Sequence, residues 1–189
     1  MEYLDIVDET GTPTGKRVSR QEAHANGILH RTAHVWIVRK ANGRTEILLQ
    51  KRSDEKDSFP GMYDTSSAGH IPAGEEPVPS ALRELSEELG ISAAPSQLHY
   101  AGKIRIRFED IFHNRVFRDN QVSWVFVYQE PMEIGRLTLQ KSEVSEVRWF
   151  DLDEVWTEIQ KGDRRRFCVA ADGLKVLKDY CAIRSAPLS

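Results

Sequence analysis

The chain of 189 residues is 40% hydrophobic and 29% charged, an ordinary soluble profile that suits one domain with one sizeable core. Its formal net charge of −3 steers it neither to nucleic acid nor to an anionic membrane, and no apolar run approaches the roughly 20 residues that span a bilayer. The start at Met1-Glu2-Tyr3 lacks a basic, apolar signal peptide, and Cys168 and Cys181 lack metal-site spacing, which points to reduced thiols in a cytoplasmic protein.

Residues Tyr3 to Asp8 and Gly15 to Val18 read as two short strands about the turn Thr10 to Gly15. Ser19, with Glu22 three residues on, fits a capping box for a short helix over Gln21 to Ala25. His34 to Arg39 and Thr45 to Lys51 are rich in β-formers, with Ala41-Asn42-Gly43 turning between them. Ser53 to Tyr63 is a polar loop containing Pro60-Gly61. A helix follows, opened by Pro77 and Pro79 and closed at Gly90. Tyr100 to Phe108 and Arg115 to Gln129 read as strands, the second alternating at Val122, Trp124, Phe126 and Tyr128. Val147 to Phe150 is a further strand. Asp151 caps a helix over Leu152 to Gln160, and Asp172 caps the last one, with Leu174, Val176, Leu177 and Ile183 facing inward. Strands and helices mixed without regular alternation predict an α/β fold in which a mixed sheet lies between helices (α/β/α). No internal repeat or low-complexity linker interrupts the chain.

The densest signal lies between Gly69 and Ile91. It runs Gly69, five residues, Glu75, seven residues, Arg83-Glu84-Leu85, one residue, Glu87-Glu88, one residue, Gly90-Ile91. Within its helix Val78, Ala81, Leu82, Leu85 and Leu89 form one apolar stripe. Glu84, Glu87 and Glu88 stand at i, i+3 and i+4 beside that stripe. Three carboxylates on one face repel one another, and a hard divalent cation reverses the sign of that energy. Arg83 precedes Glu87 by four residues, the weaker order for helix stability, so it reads as orienting a carboxylate. The plain alternative is a solvated acidic face.

This spacing matches every fixed position of the Nudix box, and the chain resembles the Nudix hydrolase superfamily. The resemblance implies cleavage of a diphosphate linkage in a nucleoside-diphosphate-type small molecule, with Mg²⁺ or Mn²⁺ as cofactor. It implies Glu84, Glu87 and Glu88 as metal ligands, with the Gly69 carbonyl as a further one. Glu87 is a ligand or the general base, and Glu88 and Arg83 belong to the catalytic set. Glu143, in the loop Gln140 to Glu146, is a rival base. Lys51, Arg52 and Lys56 lie where a phosphate is gripped, and Arg105 and Arg107 alternate along a strand; for each, a solvated cation is the plain reading. Phe59, Tyr63 and Trp124 are candidates to stack on a base, although such aromatics more often serve the core. One Nudix domain is expected over 1–189, with an N-terminal extension at 1–31, the core at 32–152 and C-terminal helices at 153–189. Many relatives pair as homodimers. The basic turn Lys161 to Arg166 is either a partner surface or solvated.

Outside the box the chain is similar to the isopentenyl-diphosphate isomerase branch. The residues that carry this are Asp5-Ile6-Val7-Asp8, His24, His30-Arg31, His34-Val35-Trp36-Ile37, Gln50-Lys51-Arg52-Ser53, Lys56, Pro60-Gly61, Asp64, Ser66 and Gly69-His70. Yet the isomerases carry a catalytic cysteine before the Gly-His, where this chain has Ala68. They carry a glutamate where it has Gln121. Isomerisation needs one proton added and another removed, and neither residue serves that. Hydrolysis is therefore the leading expectation. An isomerase, and a catalytically silent nucleotide-binding domain, are the alternatives. In the isomerases, histidines resembling His24, His30 and His70 help hold a second metal, with acidic residues of which Asp119 is a remnant. Otherwise these histidines tie down the N-terminal segment by hydrogen bonds.

Overall fold

The computed structural model describes residues 1–162 and 165–185. The chain opens with a hairpin of β1 (Tyr3–Val7) and β2 (Pro13–Ser19). The Ser19 hydroxyl accepts from the Glu22 amide at 3.2 Å and starts α1 (Arg20–Asn26), which ends at Gly27. Leu4, Val18 and Ala23 give this segment its own small core.

β3 (His30–Ala41) is the axis of the fold, buried from His30 to Val38. One half of one edge, Ile37 to Ala41, pairs antiparallel with β4 (Arg44–Arg52). β5 (Tyr63–Asp64) adds to β4, and β6 (Ser67–His70) takes the other half of that β3 edge, Thr32 to Val35. After α2 (Pro77–Leu89), the long hairpin of β7 (Leu98–Phe112) and β8 (Arg115–Tyr128) returns, and β8 pairs in parallel with β3 from His30 to Ile37. β9 (Val144–Asp151) closes on β4, and α3 (Leu152–Gln160) and α4 (Ala171–Ser185) follow. Among the described residues this gives a two-stranded sheet and a seven-stranded mixed sheet.

Alternation along the central strands serves two layers. Val35, Ile37 and Leu48 pack with Ala81, Leu85 and Leu89 of α2. Trp36, Val38, Ile47 and Leu49 pack with Leu152, Val155, Leu174 and Leu177 of α3 and α4. The expected sheet between helices is therefore the observed architecture. Among the described residues no helix is long and apolar enough to cross a membrane.

Three expectations change. α4 begins at Ala171, so Asp172 lies in its first turn and is not its cap, although it still favours the positive helix end. Ile183 is 76% exposed and does not face inward, whereas Leu174 and Leu177 are fully buried and Val176 packs against them. The strands β5 and β6 were not anticipated; both are too short to show a period in sequence, and their ladder partners hold them. Of the basic turn, residues 163 and 164 lie outside the described residues, and Arg166 stacks on Phe150 at 4.9 Å and Phe167 at 5.0 Å.

Candidate active site

α2 aims its carboxylates by its ends. Pro77 starts it, where a missing amide costs nothing, and Gly90 ends it in left-handed backbone at φ 71°. Its last carbonyls are then taken up by the following loop. Glu88 O accepts from the Gln140 amide at 3.0 Å and Leu89 O from the Thr138 amide at 3.1 Å. These bonds fix the loop that carries Glu143.

The carboxylates differ in depth. The Glu87 side chain is 52% exposed and that of Glu84 14%, while Glu88 is 3% exposed. Arg83 spans the first two, donating to Glu87 Oε2 at 2.9 Å and lying 2.8 Å from Glu84 Oε1. It also donates to the His70 carbonyl at 3.3 Å, which ties the helix to β6. Glu88 Oε2 accepts from the Gln50 amide and the Ala68 N–H, each at 3.2 Å. Burial pushes its carboxyl up to about 8, and the nearby Glu84 adds to the rise. Glu84 is raised too, again mainly by burial, with Arg83 opposing. Gly69 lies under Glu84: a Cβ there would sit 2.1 Å from Glu84 Cδ, so only glycine admits this approach.

These residues line a cleft of about 670 Å³. Arg52, Lys56, Glu143, Arg105, Arg107 and Phe59 are also in its walls. Arg52 is engaged by Asp64 at 3.0 Å and by the Ser58 carbonyl at 2.8 Å. Lys56 pairs with Glu143, so the expected phosphate grip and the rival base hold each other. The His113 ring bonds the Lys56 carbonyl at 3.0 Å, bringing the β7–β8 hairpin tip to the same place. Lys51 alternates to the other face of β4 and is not in the cleft wall. Tyr63 joins the core beneath α3 and α4 and bonds Glu146, and Trp124 packs on the α2 side, so the core reading holds for both.

A second polar group shares the cleft. His24, His30 and His70 each offer a ring nitrogen, and these lie within 4.8 Å of one another. His24 Nε2 is 3.1 Å from His70 Nε2. His30 Nδ1 donates to the Ile28 carbonyl at 2.8 Å, leaving Nε2 toward Asp119 Oδ1 at 3.9 Å. Gln121 donates to the other Asp119 oxygen at 2.8 Å. Burial drives the His24 ring down to about 4 and the Asp119 carboxyl up to about 7, and lowers His30 and His70. Spacing in sequence showed none of this; the folding of α1, β3, β6 and β8 assembles it. Two nearby bonds also tie α1 to β8: Arg118 donates to the Ala25 carbonyl and Asn120 to that of Gly27, each at 2.7 Å. Gln50 carries the family resemblance but the sequence assigns it no role, although a glutamine after Ile47, Leu48 and Leu49 is a visible break in an apolar strand.

The NUDIX domain family pattern matches residues 29–171. An uncharacterized Nudix hydrolase of Clostridium acetobutylicum is 39% identical over 154 residues, 82% of this chain and 72% of that one. Nudix hydrolase 3 of Arabidopsis thaliana is 37% identical over 165 residues, 86% of this chain and 21% of that much longer protein. Among solved structures, a Deinococcus radiodurans protein superposes with a TM-score of 0.66 at 18% identity, covering 95% of this chain and 99% of the other. The chain belongs to the Nudix hydrolase family. The activity that this membership supports is that of a pyrophosphohydrolase.

Proposed function

We propose that the protein is a Mg²⁺- or Mn²⁺-dependent pyrophosphohydrolase acting on a nucleoside-diphosphate-type small molecule. The observation that carries this reading is the stacking of Glu84, Glu87 and Glu88 along one helix face at the cleft, with Gly69 stripped of a side chain beneath Glu84. The donor set fits a hard cation: carboxylate oxygens, one pair of them buried and bonded to the neutral Gln50 amide and Ala68 N–H. Glu84 and Glu88 are the first choice of ligands, and the Gly69 carbonyl is a further one. Glu87, at the exposed end, is a ligand or the general base. A divalent cation held there would neutralise the diphosphate and make a water more acidic.

In this reading Arg83 orients Glu84 and Glu87, Lys56 grips a phosphate oxygen, and Arg52 holds the loop that carries Lys56. Glu143 becomes available as a base when Lys56 turns to substrate. Residues 1–189 act as one Nudix domain, with 1–31 as an extension, 32–152 as the core and 153–189 as flanking helices. The isomerase alternative lacks a proton carrier at the two positions where the isomerases have theirs: Ala68 ends in a methyl group, and Gln121 is an amide bound to Asp119.

The test is turnover of diphosphate compounds by Glu87→Gln and Glu88→Gln. Either change is expected to lower kcat by about 10²–10⁴-fold with the fold intact. Unchanged turnover in both variants would sink the assignment.

A further inference from the structure

We propose that Gln50 is a positioning residue that sets the orientation of Glu88, and with it the metal affinity of the cleft; this rests on the metal-dependent reading above. β4 sends alternate side chains to the α2 layer, and Leu48 occupies that row fully buried. The next residue of the row, Gln50, is 3% exposed. A leucine there would continue the core at no polar cost, whereas a buried amide is unfavourable unless it is bonded. Its Nε2 donates to Glu88 Oε2 at 3.2 Å, and the Ala68 N–H reaches the same oxygen at 3.2 Å. Two donors from two strands, converging on one oxygen, fix the plane of the carboxylate. Oε1 carries neither bond.

The backbone behind this amide is held on both sides. Gln50 lies opposite Asp64 of β5 and opposite Val147 of β9. The donor therefore sits on a rigid strand and not on a loop, as precise placement of a ligating group requires. The chemistry of the donor is equally specific. Arg83 supplies one positive charge to Glu84 and Glu87 while it orients them. The amide of Gln50 orients Glu88 without supplying a charge, so the carboxylate keeps its full attraction for a cation. Hydrogen-bond partners behind a ligating carboxylate typically set metal affinity over 10–100-fold.

The experiment is a calorimetric titration of the full chain with Mn²⁺ alone, run on the wild type, Gln50→Leu and a Glu88→Gln control, with Tm measured for each. The expected result is a 10–100-fold weaker Mn²⁺ affinity in Gln50→Leu with Tm held or raised, since an apolar side chain suits this row. Gln50→Met, which keeps the side-chain length, repeats the test should leucine lower Tm. Wild-type affinity in the Gln50 variants, while Glu88→Gln binds more weakly, overturns the role of Gln50 and leaves the metal reading standing. Equal binding, or none, in wild type and Glu88→Gln overturns the metal reading itself.

Discussion

Glu84, Glu87 and Glu88 come from a single helix, whereas His24, His30, His70 and Asp119 come from four separate elements; the three glutamates share one cleft with His24, His70 and Asp119, and His30 is fully buried beside them. The helix group is graded in exposure from Glu87 to Glu88, and Arg83 spans its outer two members. The histidine group is nearly closed off, with orphaned polar atoms on His24, His30 and Asp119. Burial favours the neutral form in both groups, and the two differ in what opposes it. In the histidine group every shift runs toward the neutral form, because burial strips water from the rings while their acidic neighbours stand off, Asp119 at 3.8 and 3.9 Å from His24 and His30 and Glu2 at 3.7 Å from His70. In the helix group Arg83 opposes that drift at Glu84, and Glu88 alone is left strongly raised. The acidic face offers hard carboxylate oxygens to a cation, whereas the ring cluster offers neutral imidazole nitrogens and joins α1, β3 and β6.

The sharpest way to break this contrast is to fill the space under Glu84. Gly69→Ala places a methyl 2.1 Å from Glu84 Cδ. Overpacking of this kind costs about 1–3 kcal/mol in stability, and displacing a reacting group by an ångström costs on the order of 10²-fold in rate. Gly135→Ala, where nothing lies within 4 Å, is the control and is expected to behave as wild type. Full turnover in Gly69→Ala would mean that the close approach has no part in catalysis.

A smaller effect is expected at the rim. Lys56→Met removes the partner of Glu143 and a cation from the cleft wall. If Lys56 grips substrate, KM rises roughly fivefold, the worth of about 1 kcal/mol for a partly exposed pair, with kcat nearly unchanged. A lowered kcat at constant KM would instead assign the pair to the chemical step.

The smallest effect separates the two clusters by pH. The ordinary value of a histidine is 6.5, and the His24 ring is held at about 4 in the fold. Its unfolded form therefore takes up a proton as pH falls through 6.5 while the folded form does not, and stability drops until about pH 4. His30 and His70 act in the same direction. Asp119 acts oppositely: held at about 7 against an ordinary 3.8, it stays protonated in the fold where the unfolded chain has lost that proton. Asp119→Asn removes this offset, so its Tm should fall more steeply than that of wild type between pH 6.5 and 4. Parallel Tm profiles for the two proteins would contradict the assignment of the proton to Asp119.

The helix cluster was readable because one period of 3.6 residues fixes Glu84, Glu87 and Glu88 on a common face, and Pro77 and Gly90 mark the helix ends. The strands β3, β4, β7 and β8 showed through their composition in the same way. β5 and β6 did not, since two to four residues carry no period and are held only by their neighbours. The histidine group was invisible to spacing for a related reason: His24 and His70 touch across 46 positions of sequence, a contact that needs α1 docked on β8 as well as the ladder of β3 with β6. Lys51 stands one residue from Arg52 in β4, and strand alternation turns it away from the cleft that Arg52 lines.

The most direct measurement is phosphate release from a panel of nucleoside diphosphate compounds with Mg²⁺ and Mn²⁺, comparing wild type with Glu88→Gln and His24→Gln. The expected result is metal-dependent hydrolysis that Glu88→Gln loses and that His24→Gln retains to within tenfold. Equal loss in both variants, or turnover that survives in Glu88→Gln, would contradict the placement of the chemistry on the helix carboxylates.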